Sequence, residues 1–277
     1  MADPYELLKA RYGAGQDAPS IAGASLNPVL ETLFAHRSVR AFLPDSLDSG
    51  TTDLLIAAAQ SAPSSSNLQV WSAIAVEDAS RRERLSVLAG NQKQVREAPL
   101  FIAWLVDLSR LQRIARQRHQ QLDGVHYLDT FLMGVIDAAL AAQNAVNAAE
   151  SLGLGTVYIG ALRNKPEQVA AEFGIRPGDG VYPVFGLCVG RPDPDRPTAI
   201  KPRLPQSSVL YREQYAPAPV EQETGSYDEA MKAFYAEQGM QAGVWSEHSL
   251  ARLRAAEDLK GRHRLREALE GLGFALR

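Results

Sequence analysis

Residues 140–164 read LAAQNAVNAAESLGLGTVYIGALRN, a run in which an apolar helix gives way, through glycines, to a short strand. The helix begins upstream, because apolar residues cover most of a helical circumference over residues 126–150. This pattern predicts a central buried helix. Its alanine-rich faces allow close packing against other helices, within one subunit or between two. The β-branched residues within 154–159 predict a strand after the helix.

The sequence on both sides of this run adds further strands and helices. Alternating or β-branched residues predict three more strands, at residues 70–76, 101–106 and 181–189. Helices are predicted after Asn27 and Pro28, from a cap at Asp48 or Ser49 through Ala59, and over residues 80–89 and 165–173. The strands do not alternate with helices at the short, regular spacing of a parallel βαβ ladder. We therefore expect an α+β fold, a sheet wrapped by helices.

The two ends of the chain differ from its middle. Residues 13–28 are rich in glycine, alanine, serine and proline, and they separate a short N-terminal helix from the body. Prolines are frequent between residues 192 and 219, which indicates a long extended connection over a surface. Residues 226–277 are polar and predicted to be helical. The predicted organisation is an appendage at 1–27, a core at 28–190, and a segment at 191–277 that belongs to the same domain as the core.

Composition and missing motifs exclude several classes of function. The 29 basic and 32 acidic residues give a formal net charge of -3, so no positive field attracts nucleic acid. The single cysteine, Cys188, has no intramolecular disulfide partner, which fits a reducing cytoplasm. No zinc-binding motif, P-loop, hydrolase elbow or complete dinucleotide fingerprint occurs. No continuous apolar stretch reaches the roughly 18 residues that span a membrane, and the acidic start is unlike a secretory signal. We expect neither a metal nor a membrane as a partner.

A cluster of cations and a hydroxyl is the first candidate site. It consists of His36, Arg37, Ser38 and Arg40, within five positions of each other. The set suits a phosphate group, because arginine offers planar, charge-assisted donors. Exposed surface charge is the alternative interpretation, and the more common one for such a stretch taken alone.

Two further polar clusters lie elsewhere in the chain. The loop at residues 63–69, PSSSNLQ, offers hydroxyl and amide groups at the start of a strand. Its alternative interpretation is a turn whose side chains satisfy the local backbone. In the extended connection, Lys201 and Arg203 flank Pro202, which holds the two cations apart. The alternative there is a solvated basic pair.

Six stretches, in order along the chain, carry a resemblance to a known family. They are HRSVRAF at 36–42, SSSNLQVWS at 64–72, AGNQKQV at 89–95, the run at 140–164, VYPVFGLCVG at 181–190 and KPRLP at 201–205. Together they resemble the flavin-dependent nitroreductase superfamily, in particular its oxygen-insensitive NADPH nitroreductases and NADPH:FMN oxidoreductases. The resemblance covers about residues 28–250. It implies a mostly antiparallel sheet, FMN bound non-covalently at a homodimer interface, and an extended C-terminal segment that embraces the partner subunit.

The resemblance also assigns candidate cofactor-binding residues. The phosphate and ribityl chain of FMN would be held by His36, Arg37, Ser38, Arg40, Lys201 and Arg203. The flavin of the partner subunit would be lined by Ser64, Ser65 and Asn67, and its pyrimidine edge would be contacted by Gln92. The backbone over the flavin would come from Tyr158, Ile159, Gly160 and Ala161, with the Gly160 amide near N5. Relatives often carry glycine in place of Ala161, whose methyl group limits how closely the backbone approaches the ring.

The activity implied by the resemblance is two-electron hydride transfer by a ping-pong mechanism. NADPH or NADH would be the donor, and small molecules such as nitroaromatics, quinones or free flavin would be the acceptors. We assign no catalytic acid or base, because the reactive centre is N5 of the flavin. Two other interpretations are a flavin reductase that supplies a partner oxygenase and a non-catalytic interaction protein on the same fold. Relatives carry arginines in the loop that here reads QGMQAGV at 238–244, with no cation, so NADH becomes a candidate beside NADPH.

Overall fold

The computed structural model describes residues 4–13, 26–240 and 243–277. The chain forms two compact units. The first comprises Met1–Arg37 and Thr198–Asp258, and the second comprises Ser38–Pro197 and Leu259–Arg277. Most of the predicted N-terminal spacer, together with residues 241–242 of the loop that lacks cations, lies outside the described residues. The division at residues 27/28 and 190/191 stays a prediction.

The described ranges contain eleven α-helices and four strands. The helices are α1 (Pro4–Tyr12), α2 (Pro28–Ala35), α3 (Thr51–Gln60), α4 (Ala79–Leu88), α5 (Lys93–Glu97), α6 (Ser109–Gln117), α7 (Leu128–Ser151), α8 (Pro166–Glu172), α9 (Val220–Glu237), α10 (Trp245–Leu253) and α11 (Leu265–Gly271). The strands are β1 (Trp71–Val76), β2 (Leu100–Asp107), β3 (Gly155–Ile159) and β4 (Val181–Gly190). All four predicted strands are therefore confirmed, with ends that shift by one residue.

The second unit is built on an antiparallel sheet with the strand order β1-β2-β4-β3. Every residue of β2 is buried, because its alternate side chains enter two different cores. Ile102 and Trp104 pack with α3 and α7, whereas Phe101 and Ala103 pack with α4 and α8. Helices thus cover both faces of the sheet, and the predicted α+β architecture is confirmed.

The predicted starts of two helices have different outcomes. Asn27 caps α2 as predicted, since its side-chain oxygen accepts a 3.0 Å hydrogen bond from the Leu30 amide. For α3 the predicted cap at Asp48 or Ser49 is wrong. Gly50 occupies the N-cap position with φ +82°, a left-handed conformation that glycine adopts at little cost. The left-handed backbone before α3 therefore favours glycine at position 50.

Helix α7 is buried on one face only, which corrects the prediction of a helix buried nearly all round. Its small residues face the sheet, and a Cβ atom at Gly134 would lie 2.6 Å from Val106 Cγ1. On another face, Leu128, Leu132, Ile136 and Leu140 are exposed. Among the described residues, α7 is the one helix whose length and composition would allow a membrane span. Its packing against α3 and the sheet is that of a core helix.

A bulge interrupts the ladder between β2 and β4. Trp104 pairs with Phe185, but Leu105 pairs with Pro183, so Val184 is the extra residue. Proline has no amide hydrogen to donate, and it is tolerated inside a sheet at such a bulge. The carbonyl of Val184 instead accepts a 2.6 Å hydrogen bond from the Arg163 guanidinium. The bulge therefore fixes an arginine beside the end of β3.

Candidate functional site

The segment that contains the first cationic cluster divides between the two units. His36 and Arg37 belong to the first unit, and Ser38 and Arg40 belong to the second. In the first unit, His36 is the C-cap of α2, with its amide bonded to the Leu33 carbonyl. Arg37 is exposed, and its guanidinium donates a 3.3 Å hydrogen bond to the Ala35 carbonyl. The backbone here is thus fixed by the helix end.

In the second unit, the segment after Arg37 is held by the start of β3. Ser38 forms a parallel bridge with Thr156, and the Val39 amide donates a 2.9 Å hydrogen bond to the Thr156 carbonyl. Val39 is buried against Gly155, where a Cβ atom added to the glycine would lie 2.7 Å from Val39 Cβ. Because side chains alternate along an extended chain, the buried Val39 leaves Arg40 exposed.

The Lys201–Arg203 segment lies in the first unit, where its backbone is anchored at several points. Pro202 is buried, and its carbonyl accepts hydrogen bonds from Tyr227 Oη and from Arg203 Nη1, both at 3.2 Å. The Lys201 ammonium lies 5.7 Å from the ring centroid of Phe234. Arg203 is exposed. The backbone of this pair is therefore anchored, while the Arg203 side chain is open to solvent, so the choice between a phosphate ligand and a solvated basic pair stays open.

Within the first unit, one further residue joins both cationic segments. The guanidinium of Arg11, in α1, donates hydrogen bonds to the carbonyls of His36 and Lys201. Sequence reasoning missed Arg11, because a lone arginine in a short helix looks like any surface residue. The nearest signal in the sequence is the i, i+4 spacing of Leu8 and Tyr12, and both side chains are buried in the structure.

The serine-rich loop is anchored to α7 through Asp137, a second residue that sequence reasoning missed. Ser64 Oγ donates a 2.6 Å hydrogen bond to one carboxylate oxygen of Asp137, and the Ser65 amide donates a 3.0 Å bond to the other. Ser64 Oγ also accepts a bond from the Gln69 amide, so the capped-turn interpretation holds for Ser64. Asp137 itself is buried.

The rest of this loop is strained and exposed. Ser66, Asn67 and Gln69 have φ values of 49°, 54° and 51°, in the left-handed region that residues other than glycine seldom adopt. Ser65 and Asn67 are exposed, and these are two of the residues assigned to the partner's flavin. Strain of this kind persists only where the surroundings hold it, and it clusters at functional sites.

The end of β3 opens into a cavity of about 400 Å³ in the second unit. Its lining consists of Ala139, Gln143, Tyr158, Gly160, Arg163 and Phe185. The Tyr158 ring packs edge-on against Phe185, with centroids 5.3 Å apart, and its hydroxyl donates to Gln143 Oε1 at 3.3 Å. Burial, with a smaller contribution from Glu150, raises the pKa of Tyr158, so this hydroxyl stays protonated. A flat, partly aromatic ligand suits such a cavity.

The other residues assigned to the end of β3 contribute through their backbone. Ile159 and Ala161 are buried in the core, so the Ala161 methyl group is packed among core side chains. Gly160 lines the cavity, and a Cβ atom on it would lie 3.3 Å from Arg163 Nη2. Arg163 therefore determines the space beside the Gly160 backbone. The sequence pattern gave this arginine no role.

Gln92 lies at the start of α5, where it is the N-cap residue. Its carbonyl accepts a 2.9 Å hydrogen bond from Ser86 Oγ, and its side-chain oxygen accepts a 2.5 Å bond from Gln94 Nε2. Gln92 is half-buried, so its position is fixed while part of its amide remains accessible. Its assignment to the flavin's pyrimidine edge stays a prediction.

A metal centre and a reactive thiol are two other kinds of reactive centre that the described residues can be examined for. Across the described ranges, no group of three or more histidine, cysteine, aspartate or glutamate side chains could hold a metal ion. Cys188 is buried in β4, and this burial raises the pKa of its thiol. A protonated, buried thiol is a poor nucleophile, so Cys188 acts as a small core residue.

Comparison with known proteins gives consistent matches along most of the chain. Residues 33–191 match the Nitroreductase family, and residues 201–277 match the Nitroreductase family, C-terminal domain. An FMN reductase (NADPH) of Bacillus subtilis is 36% identical over 230 residues, which are 81% of this chain and 91% of that protein. An oxygen-insensitive NADPH nitroreductase of Salmonella typhimurium is 39% identical over 225 residues, 80% of this chain and 90% of that protein. The solved structure of B. megaterium NfrA2 has a TM-score of 0.84 at 34% identity, covering 91% of this chain and all of the other.

Proposed function

The chain belongs to the nitroreductase family, and from that membership we propose that it is an FMN-dependent oxidoreductase that uses NADPH or NADH to reduce small-molecule acceptors. Nitroaromatics, quinones and free flavin are the proposed acceptors. The observation that carries the proposal is the cavity at the end of β3, within a chain of this family. A reducing cytoplasm is the proposed compartment, in line with a single, buried cysteine.

The donor set fits the phosphate of FMN. A phosphate dianion needs several cations held by a rigid backbone, and arginine provides charge-assisted hydrogen bonds to it. Arg37, Arg40 and Arg203 are exposed. The Arg203 amide is bonded to the Arg11 carbonyl, and the amides of His36 and Val39, next to Arg37 and Arg40, are bonded to the carbonyls of Leu33 and Thr156. Proposed phosphate and ribityl ligands are His36, Arg37, Ser38, Arg40, Lys201 and Arg203. The proposal rests on their chemistry and on the resemblance to the family.

The flavin ring is proposed to lie against the end of β3. The chemistry that bound FMN supplies is two-electron transfer from a reduced nicotinamide to an acceptor. The protein would orient the ring with the backbone of Tyr158, Ile159, Gly160 and Ala161, and with the side chain of Gln92. The Gly160 amide would donate a hydrogen bond near N5. The protonated Tyr158 hydroxyl is held by Gln143, so it adds no negative charge to the site.

A homodimer is the proposed assembly. Four large apolar side chains of α7 are exposed at a spacing of four residues, and they form a continuous stripe: Leu128, Leu132, Ile136 and Leu140. Such a stripe on a helix is typical of a protein interface. With a second copy packed on it, Ser64, Ser65 and Asn67 would reach the partner's flavin, and the extended C-terminal segment would embrace the partner subunit.

The experiment that tests the proposed function starts from the colour of the purified protein. We expect a yellow protein whose flavin absorbance bleaches when NADPH or NADH is added without oxygen and returns when a quinone or nitroaromatic follows. Initial rates at varied donor and acceptor concentrations should give the parallel lines of a ping-pong mechanism. A colourless protein that takes up no added FMN would refute the proposal.

The donor preference is a separate prediction. An adenosine 2′-phosphate without a cationic partner loses a charge-assisted hydrogen bond, which contributes about 1.5–3 kcal/mol where it exists. Such an energy corresponds to a preference for NADPH of about 10- to 150-fold. Because residues 238–244 contain no cation, we expect the values of kcat/KM for NADPH and NADH to agree within about tenfold. Steady-state rates with one quinone measure the ratio. A preference for NADPH above a hundredfold would show that a cation elsewhere in the chain binds the 2′-phosphate.

The second candidate function is the supply of reduced FMN to a partner oxygenase. It is favoured by the match to an FMN reductase of Bacillus subtilis over 91% of that protein's length. Rapid mixing distinguishes the two functions. If reduced flavin leaves the protein faster than bound flavin reduces a nitro compound, the supply function is supported; the reverse order supports direct reduction of the acceptor.

A further inference from the structure

The N-terminal helix α1 makes an unusual set of contacts through Arg11. Its guanidinium donates hydrogen bonds to three main-chain carbonyls, those of Phe34 at 3.0 Å, His36 at 2.6 Å and Lys201 at 3.1 Å. The carbonyl of Arg11 accepts a 2.8 Å bond from the Arg203 amide. All of these residues lie in the first unit. One residue thus fixes the backbone of two segments that are far apart in sequence.

The end of α1 is fitted closely to the second of these segments. Gly13 follows the helix with φ +76°, and a Cβ atom there would lie 2.8 Å from Pro202 Cγ. Leu8 and Tyr12 are buried, so one face of the helix is part of the core of the first unit. Pro202 is also held from another side, by the Tyr227 hydroxyl. The Lys201–Arg203 segment is therefore clamped between α1 and α9.

These contacts determine where cationic side chains point. When the carbonyls of His36 and Lys201 are bonded to Arg11, the rotation of both backbone segments is fixed, and so are the exit directions of the neighbouring side chains. A phosphate is bound tightly only if its cations are ordered beforehand, because ordering them on binding costs conformational entropy. A lysine would replace the arginine poorly, because these bonds leave from two separate nitrogens of the planar guanidinium, whereas the donors of an ammonium all lie on one atom.

We propose that Arg11 is a positioning residue for the flavin phosphate: it holds His36, Arg37, Lys201 and Arg203 in the arrangement that binds the phosphate, without touching the flavin. This inference rests on the proposed function, which assigns those four residues to FMN. It gives α1, for which the sequence suggested no role, a part in cofactor binding.

The test compares FMN with riboflavin, which has the same ring but no phosphate. In Arg11→Met, the affinity of the apoprotein for FMN, measured by quenching of flavin fluorescence, should fall at least about tenfold, the effect of losing one charge-assisted contact. The affinity for riboflavin should stay within about twofold of the unchanged protein's. Arg11→Lys should weaken FMN binding nearly as much as Arg11→Met. A similar loss of affinity for both ligands would mean a merely structural role and would overturn the proposal.

Two control variants separate this proposal from the proposed function. Lys9→Met removes a cation of the same helix that pairs with Glu6 on the surface, and FMN affinity should not change. Arg203→Ala removes a proposed phosphate ligand directly, and it should weaken the binding of FMN but not of riboflavin.

The outcomes separate the two assignments. If Arg203→Ala weakens FMN binding and Arg11→Met does not, the positioning role is wrong. If Arg203→Ala also has no effect, the phosphate assignment fails, and the role of Arg11 fails with it. Thermal unfolding of the apoproteins shows whether each variant folds. If Arg11→Met does not fold, the FMN and riboflavin affinities of Arg11→Lys test the positioning role.

Discussion

Ile136→Asp is expected to convert the proposed homodimer into folded monomers that have lost nearly all bound FMN. Ile136 lies in the middle of the exposed stripe of α7, and its side chain is 55% exposed, against 47%, 46% and 40% for Leu128, Leu132 and Leu140. Full burial of such a side chain contributes about 1.5–3 kcal/mol, so burying the exposed half contributes roughly 1 kcal/mol each, and a twofold interface counts the stripe twice. An unpaired carboxylate at its centre removes that gain and adds a desolvation cost of several kcal/mol.

The loss of FMN should accompany dissociation, because Ser64, Ser65 and Asn67 are proposed to bind the flavin of the partner. Analytical ultracentrifugation gives the mass, and the visible absorbance of the same sample gives the flavin content. Val87→Asp is a matched control, since Val87 is an apolar side chain on α4 with a similar exposure of 48%. It should leave both mass and flavin unchanged. A dimeric, fully yellow Ile136→Asp protein would show that the interface lies elsewhere.

The exposed stripe shows that sequence periodicity predicts a helix but does not predict what covers each of its faces. Residues 126–150 are apolar around most of the helix, and this pattern alone does not tell a face covered by the same chain from a face that is uncovered. The strands were predictable to within one residue, because runs of apolar and β-branched residues are strong local signals, and three of the four have glycine or proline near at least one end. The partner of each helical face depends on long-range packing, which a local pattern does not contain.

The candidate site also contains residues that the sequence identifies and residues that it does not. The cationic segments could be found from residue type and from the resemblance, whereas the residues that hold them could not. Arg11 contacts the Lys201 carbonyl across 190 positions of sequence, and nothing near Arg11 indicates that contact. Arg163 is placed by a bulge at Val184, which exists because Pro183 has no amide hydrogen to donate. Asp137 did carry a signal, since an acidic residue in an otherwise apolar helix must find donors when it is buried.

Asp137→Ala is expected to lower the stability of the protein and to weaken FMN binding together. The carboxylate accepts charge-assisted hydrogen bonds from Ser64 Oγ and from the Ser65 amide, and each contributes about 1.5–3 kcal/mol. Those bonds hold a loop in which Ser66, Asn67 and Gln69 are left-handed, at a cost of about 1–3 kcal/mol each. Without Asp137 the loop can relax, and Ser65 and Asn67 then leave the positions proposed for the partner's flavin.

The two effects of Asp137→Ala can be measured on one preparation. Unfolding in urea should give a free energy of unfolding lower by about 1–3 kcal/mol, because relief of the loop strain offsets part of the two lost bonds. Fluorescence titration should give an FMN affinity at least about tenfold weaker. Asp137→Asn should recover part of both, because its side-chain oxygen can still accept from the Ser65 amide. Asp129→Ala, in the exposed first turn of the same helix, should change the stability by only a few tenths of a kcal/mol. If Asp137→Ala loses stability but keeps full FMN affinity, the loop is not part of the flavin site, because its relaxation would then leave the cofactor's surroundings unchanged.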